Sequence, residues 1–483
     1  MTAPLDLFAD ESGKIDPGEA LTELLRSYRD QARFLVRADN YYRAEPSSVN
    51  IGSRIPPALA LFRTPWPAVR AAVNAYTDRV SIEDIKLSDD DQTAEEIRDP
   101  IQPALTMAIL EAVAIGNGYL RTVVKSDGSL LFTAVRGRDG AFLEDRDTGE
   151  TLATMRVHRP RRWIGPVSAP RRVTVYTPGR ATTFAIQGTS TVNNAGWGIL
   201  EDITFPKAPD AMLMRPILNR QRAGEEYGRS EARDLYPLQD QGSRALTNIA
   251  IISDSLAVPQ RVLIASQPDS FKDLSMIQTY LDSILTLSGT DVHVDQWQAA
   301  QLSPLLEQML MLGRQASAIS GIPIIYWGIA GDRTQAADAI RENDARLVIR
   351  ATQLSKQWTP AVKGCIEDAS RLLGRNPGQV ELVWSDPATP TPAAAVDAAV
   401  KLASIPPVAG EPVIDREYLW DVIRMPPESR ERIRELGDSV TLAQLLTPPE
   451  AGANEPGSVP PGPPTNPGGP PNVPPKVRPA PAG

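Results

Sequence analysis

The chain has 483 residues, 42% apolar and 23% charged, with a net charge of −9. These are ordinary globular values for a length that leads one to expect about two to four domains, and the acidic balance argues against bulk attraction to nucleic acid. No run of about 20 apolar residues is present to cross a membrane as a helix, the Met1–Asp6 start lacks a basic-then-apolar leader, and one cysteine (Cys365) with two histidines (His158, His293) excludes a disulfide framework or a cysteine-based zinc site.

Asp16-Pro17-Gly18-Glu19 predicts a helix start, with Asp16 as N-cap, Pro17 at the first position and Glu19 set for a capping box. Leu21, Leu24, Leu25, Tyr28, Ala32 and Leu35 continue one apolar face, closed by a turn at Asn40-Tyr41-Tyr42. A second helix is expected from Pro67 to Arg79, then a strand from Val80 to Leu87, with Asp89-Asp90-Asp91 read as a solvated loop. Helical spacing resumes from Pro103 to Ile115 and stops at Gly116-Asn117-Gly118, which supply the left-handed conformations of a C-cap. Strands are expected at Tyr119–Lys125, Leu130–Val135, Thr151–His158, Arg171–Thr177 and Thr182–Gln187, a β-meander appended to helices and hence an α+β fold.

Arg159, Arg161, Arg162, Arg171 and Arg172, with Trp163 among them, form the most basic local stretch, read either as a nucleic-acid contact or as a solvated or subunit-contact loop. Gly116-Asn117-Gly118 follows a helix and precedes a strand, the wrong order for a phosphate loop. No Gly-x-Ser-x-Gly elbow, His-Glu-x-x-His pair or kinase signature occurs, so no cofactor or catalytic group is expected.

The stretch Tyr227-Gly228-Arg229-Ser230-Glu231 predicts a flexible joint at Gly228 followed by a helix that Ser230 caps, with Glu231 at the positive end of its dipole. Leu235, Leu238, Ala245, Leu246, Ile249, Ile252 and Leu256 keep helical spacing, whereas Gln239, Asp240, Arg244 and Asn248 fall largely elsewhere. Pro237 either opens the helix proper or bends it. Beyond it come an extended Val258–Ile264, a short helix over Asp273–Leu287, a strand over Asp291–Asp295, and a second long helix from Ser303-Pro304 that ends at Gly321 and Pro323. An apolar, glycine-punctuated loop over Ile322–Arg333 then leads to a helix capped by Thr334, kinked at Pro360 and ended by Gly374; at roughly 40 residues it would reach about 60 Å. Cys365 lies near its apolar face and reads as packed. Val380–Trp384 reads as a strand returning to an upstream partner, short helices follow Asp386-Pro387, and from Pro448 the Pro/Gly/Ala-rich tail is too poor in large apolar residues to order itself.

This order resembles the portal proteins of tailed bacteriophages, in particular those infecting actinobacteria. The residues that carry it are Asp39-Asn40-Tyr41-Tyr42, Gly116-Asn117-Gly118-Tyr119, Arg215-Pro216-Ile217-Leu218-Asn219-Arg220, Gly228-Arg229-Ser230-Glu231, Leu238-Gln239-Asp240, Val258-Pro259-Gln260-Arg261, Gly321-Ile322-Pro323 and Trp384-Ser385-Asp386-Pro387. They are spread over residues 15–445. The resemblance implies a dodecameric ring at one capsid vertex, a channel for double-stranded DNA without sequence specificity. It also implies contacts with the large terminase subunit, the major capsid and scaffolding proteins and a head–tail adaptor, in the virion and, during assembly, in the host cytoplasm.

Carried onto this chain, it makes residues 1–229 the wing and 230–257 the first stem helix. Residues 258–302 become the clip, 303–321 the second stem helix, 322–333 the tunnel loop, 334–385 the long helix and return strand of the wing, 386–446 the crown and 447–483 a disordered tail. It makes Gly228, Arg229, Ser230 and Glu231 the wing–stem hinge and places Ile325, Tyr326, Trp327, Gly328 and Arg333 in a DNA-facing loop. The rival readings are another head or connector subunit and, from a different class, a metal-dependent nuclease built on Glu95 and Glu96.

Overall fold

A computed structural model describes residues 15–45, 62–88, 91–145, 147–159, 172–186, 196–220, 222–257, 261–265, 284–288, 294–296, 302–328 and 337–388, and, nearer the C-terminus, 400–401, 418–420, 425 and 429–430. Arg161, Arg162, Trp163, Arg171, His293, Arg333, Thr334, most of residues 386–446 and the whole tail therefore lie outside the described residues. The chain divides into two compact units, 1–389 and 390–483. In the second, the Met425 N–H donates to the Trp420 carbonyl at 3.0 Å and Arg430 Nε donates to the Met425 carbonyl at 2.8 Å.

The first unit opens on α1, Pro17–Arg43. Asp16 accepts hydrogen bonds from Gly18 N and Glu19 N, as its place before Pro17 dictates, and the helix runs through Asn40-Tyr41-Tyr42 to a left-handed Ala44 instead of turning there. Its face of Leu21, Leu24, Leu25 and Tyr28 lies buried on a five-stranded antiparallel meander, ordered β4 (Gly140–Glu144), β5 (Thr151–Val157), β6 (Arg172–Thr177), β7 (Arg180–Ile186) and β8 (Trp197–Thr204). Each such leucine taken from water adds about 2 kcal/mol. The fold is α+β, as its strand and helix patterns indicate.

The main core gathers α2 (Ala68–Thr77), β1 (Ile82–Leu87) and α3 (Asp91–Ile115). Helix α3 begins 12 residues before the expected Pro103, running through Pro100 and Pro103 because Ile97, Ile101, Leu105 and Ile109 keep a buried stripe across them. Asp91 is its first residue rather than part of a loop. Strand β2 (Asn117–Val124) pairs antiparallel with β3 (Leu130–Arg136) on one side and β9 (Met214–Leu218) on the other.

After β9 come α4 (Tyr236–Ala257), a small sheet, and α5 (Ser303–Ser320), closed by a left-handed Gly321. In the sheet, β10 (Arg261–Ala265) pairs parallel with β11 (Ile284–Ser288) and antiparallel with β12 (Val294–Gln296). Ile284–Leu287 is thus strand where the sequence reading placed the end of a short helix; its β-branched and leucine run suits a paired strand. Helix α6 (Ala337–Leu372) runs continuously through Pro360, and Gly374 beyond it is left-handed. It leads into β13 (Val380–Trp384), which pairs antiparallel with β1, so the chain does return to its first half.

Several residues with chemical potential are structural. Cys365 on α6 is buried, and burial pushes its thiol up to about 12. Arg159 pairs with Asp139 at 2.5 Å and donates to the Tyr28 hydroxyl at 2.7 Å, so this member of the basic stretch is held inside the unit. Glu96, one of the two carboxylates of the nuclease reading, pairs with Arg375 at 3.2 Å.

His158, at 2.8 Å from the Thr174 hydroxyl, is held down at about 4 by burial and then by Arg156, Arg172 and Arg121. Its folded value lies below the ordinary 6.5, so between those values the unfolded chain binds the extra proton. Stability carried by neutral His158 is therefore complete above about pH 6.5 and is lost as pH falls toward 4. Imidazole NMR should show no His158 titration from about pH 5 upward; a midpoint near its ordinary value would contradict this packing.

Candidate functional site

The three motifs at 116–118, 215–220 and 228–231 are far apart in sequence and meet at one junction. Gly116 ends α3 with φ +108°, a conformation open to glycine, and the chain turns at once into β2. Gly118 is not left-handed; a Cβ there would overlap the Ala108 carbonyl oxygen, so its glycine permits close helix–strand packing. The end of β9 lies alongside, with Asn219 N donating to the Gly116 carbonyl at 2.9 Å.

Residues 228–231 close the junction by backbone pairing. Gly228 N donates to Asn117 Oδ1 at 3.0 Å, Arg229 N to the Asn219 carbonyl at 2.9 Å and Glu231 N to the Val113 carbonyl at 3.0 Å. Those bonds fix the segment outside any helix. A 3-10 turn at Arg233–Leu235 follows, and α4 starts at Tyr236 instead of Ser230. Pro237 is its second residue, where a missing N–H costs nothing, so of the two readings of Pro237 the structure has the helix-opening one. Ser230 is buried at the junction and does not cap α4.

Two fully buried amides organise the polar interior. Asn117 Nδ2 donates to Gln31 Oε1 at 2.6 Å, and Gln31 Nε2 in turn to Ser27 Oγ at 2.9 Å, which links α1 to the junction. Asn219 Nδ2 donates to the Arg229 carbonyl at 2.9 Å and to Glu231 Oε2 at 3.0 Å. Arg350 of α6 then grips both Glu231 oxygens at 2.6 Å, a paired fork that holds its guanidinium above its ordinary value. Further along α6, Trp358 Nε1 donates to the Leu218 carbonyl at 3.0 Å and Gln357 Nε2 to the Arg220 carbonyl at 2.8 Å. Gly228 was expected to be a flexible joint; it sits instead in a lock between α1, α3, β9 and α6.

Helix α4 is held to the body by a polar stripe. Gln239 Oε1 accepts from Val69 N at 2.9 Å, Ser243 Oγ from Trp66 N at 2.9 Å and Thr247 Oγ1 from Thr64 N at 3.2 Å, supplying acceptors around the start of α2, where Pro67 provides no side-chain cap. All three side chains are buried, whereas Ile249 and Ile252 of the expected apolar face are only half-buried. The four-residue spacing of Gln239, Ser243 and Thr247 was the available signal, and apolar periodicity overlooks it.

Of the Ile322–Arg333 stretch the structure describes residues 322–328. Ile324–Trp327 forms a single 3-10 turn ended by a left-handed Gly328. Trp327 is buried in the main core with its ring 6.0 Å from that of Trp66, so it anchors the stretch and is not displayed by it. Ile325 and Tyr326 remain about half exposed, and the Tyr326 hydroxyl accepts from Arg79 Nη2 at 2.9 Å. Next to this turn, the Tyr76 hydroxyl donates to the Ser320 carbonyl at 2.5 Å, joining α2 to the end of α5, and burial raises its pKa. A cleft of about 430 Å³ opens here, lined by Tyr76, Glu231, Ile319, Arg346, Ile349 and Arg350 among others. The assembled groups are locks and surfaces. Among the described residues no cluster of three or more His, Cys, Asp or Glu stands ready to hold a metal.

No family model matches the chain. Over 489 aligned residues it is 26% identical to the portal protein of Mycobacterium phage L5, covering 95% of this chain and 96% of that protein. It is 25% identical to the portal protein of Mycobacterium phage D29 over the same shares. Among solved structures, the virion of a native gene transfer agent particle matches at TM-score 0.45 and 16% identity, covering 81% of this chain and 94% of the other. The neck of the native particle, computed with C12 symmetry, matches at 0.45 and 14%, covering 82% and 94%.

Proposed function

We infer that this chain is a portal protein of the actinobacteriophage type, a virion protein that assembles as a ring at one capsid vertex and passes the genome in and out. The observation that carries the reading is the reach of the similarity, 95% of this chain and 96% of the L5 portal protein, since a shared module would leave one of the two uncovered. The internal architecture suits the role. Helices α4 and α5 pack on each other and bracket the β10–β12 sheet, and β13 returns to β1.

In this reading residues 1–229 with β13 form the wing, α4 and α5 the stem, 258–302 the clip and 386–446 the crown. The wing–stem passage at Gly228, Arg229, Ser230 and Glu231 transmits position rigidly, because both of its buried amides and its carboxylate are engaged. Within the tunnel loop, Ile325, Tyr326 and Trp327 form the fixed root and the DNA-facing span begins after Gly328 and includes Arg333. The chain's acidity favours passage: each phosphate neutralised by a bound cation would add affinity and slow a moving duplex. The ring docks the terminase on one side and a head–tail adaptor on the other, and performs no catalysis of its own.

The test is assembly. Purified full-length protein viewed by negative-stain electron microscopy should show closed rings with an axial hole wide enough for duplex DNA, about 12-fold as the family resemblance implies. Monomers alone across a range of salt and pH, or rings without a hole, would overturn the reading.

A further inference from the structure

Charges drawn partly out of water need a compensating charge. Where the β2 sheet meets the meander, with Thr154 Oγ1 of β5 donating to the Met214 carbonyl of β9 at 3.0 Å, cations gather without one. Arg121 of β2 donates through Nε to Thr133 Oγ1 at 3.1 Å and through Nη1 to the Tyr176 hydroxyl at 3.5 Å, and Arg156 of β5 approaches the same hydroxyl. Tyr176 is buried, so two half-buried guanidiniums converge on one inner group. Arg156 stands opposite Thr174 of β6, and Arg172 lies two residues before Thr174 on the same face, its carbonyl accepting from His158 N at 2.9 Å.

These cations repel one another. Burial and then Arg121 lower Arg156, and the charges that lower His158 are Arg156, Arg172 and Arg121. The carboxylate that bears on Arg156 is Asp139, which already serves Arg136 at 2.7 Å and Arg159 at 2.5 Å, two cations for one anion. Asp127, in the turn between β2 and β3, is held by Ser129. Glu201 shares this face of the meander, opposite Thr183, but two strand spacings and two residues separate it from Arg172, about 12 Å. Among the described residues no ion pair joins it to any of the three arginines. The connecting residues add nothing acidic: 160–171, between β5 and β6, hold Arg161, Arg162 and Arg171 with no Asp or Glu, and 187–196, between β7 and β8, hold no Asp or Glu either. On a chain of net charge −9, this seam lacks a counter-ion of its own.

We propose that Arg121, Arg156 and Arg172 form a binding site for phosphate, either the free anion or the backbone of a nucleic acid. A lone carboxylate would bring one charge and two oxygens. A phosphate dianion, or adjacent phosphates of one strand, brings two charges and more acceptor oxygens, which suits three guanidinium forks better. The site lies on other elements than the stem and loop of the ring reading and does not depend on that reading.

The test is isothermal titration calorimetry on the full chain near neutral pH. Sodium phosphate should bind saturably, and sodium chloride at equal ionic strength should not. Arg156→Gln and Arg172→Gln should each weaken phosphate binding about tenfold or more, the loss expected for a charge-assisted contact. Arg172 is exposed, so its variant probes the site without disturbing the core. A short DNA duplex with unphosphorylated ends then separates the two sources: displacement of phosphate that fades with added salt assigns the site to a backbone, and no displacement assigns it to the free anion. Phosphate binding undiminished in either variant, or no saturable binding of phosphate or duplex, would overturn the proposal.

Discussion

Replacing Gly228 with alanine should destabilise the first unit by about 3 kcal/mol, the upper end for a methyl group added where nothing can yield. A Cβ on Gly228 would overlap the Gly116 carbonyl oxygen, with the carbonyl carbon at 2.7 Å and Asn117 Oδ1 at 2.9 Å. These are backbone atoms and a buried amide already bonded to Gly228 N, so relief requires parting α3 from the junction. The reverse change, Gly116→Ala, meets the Gly228 carbonyl and also a φ of +108°, so both halves of the contact need glycine. Gly149→Ala is the control: its φ is +73° and its methyl would meet nothing within 4 Å, leaving only about 1 kcal/mol of left-handed strain. Urea midpoints of the purified chains decide the matter. A Gly228→Ala midpoint no lower than that of Gly149→Ala would show that the 116–228 contact is not the lock described.

How much of this was legible in the sequence varies with the kind of signal. The first helix, the 119–135 hairpin, the helix from Ser303 and the return strand were readable, because caps, alternation and 3.6-residue spacing are local. The lock at Gly228 was readable only as a glycine beside a helix start, and flexibility was the natural inference. Its actual need, room for a backbone 112 residues upstream, leaves no local trace. Likewise helical spacing was read only from Pro103 onward, whereas a buried stripe from Ile97 to Ile109 carries α3 through Pro100 and Pro103. Strands β4, β8 and β9 were missed for different reasons. Gly140-Ala141 opens β4 without alternation, β8 is apolar on both faces, and β9 holds Pro216 at a position where β-propensity argues against a strand. Trp327 was read as part of a displayed loop because an apolar run between glycines looks the same whether it faces solvent or a core. Its packing on Trp66, from a distant part of the chain, decides which.

Neutralising Asp368 is the other change expected to be severe. Asp368 on α6 has a side chain with no exposure, and it accepts from Arg215 Nε of β9 at 2.5 Å and from Arg371 Nη1 at 3.1 Å. Gly364 leaves the room that the Arg215 guanidinium occupies, since a Cβ there would lie 2.8 to 2.9 Å from it. Asp368→Asn keeps the shape and removes the charge, stranding a largely buried guanidinium, a loss of about 3–5 kcal/mol when one partner of a buried pair is removed. The effect should reach beyond the pair, because this tether, the Trp358 bond to Leu218 and the Arg350 grip on Glu231 hold three well-separated points of α6 to the segment from β9 to the junction. Arg215→Met combined with Asp368→Leu separates charge from position: replacing both partners by apolar groups of similar volume should recover most of the loss. Equal stability of Asp368→Asn and wild type in guanidine-free urea melts would show that α6 is held by packing alone. A double variant as poor as the single one would show that the pair's geometry, and not only its burial, positions the long helix α6.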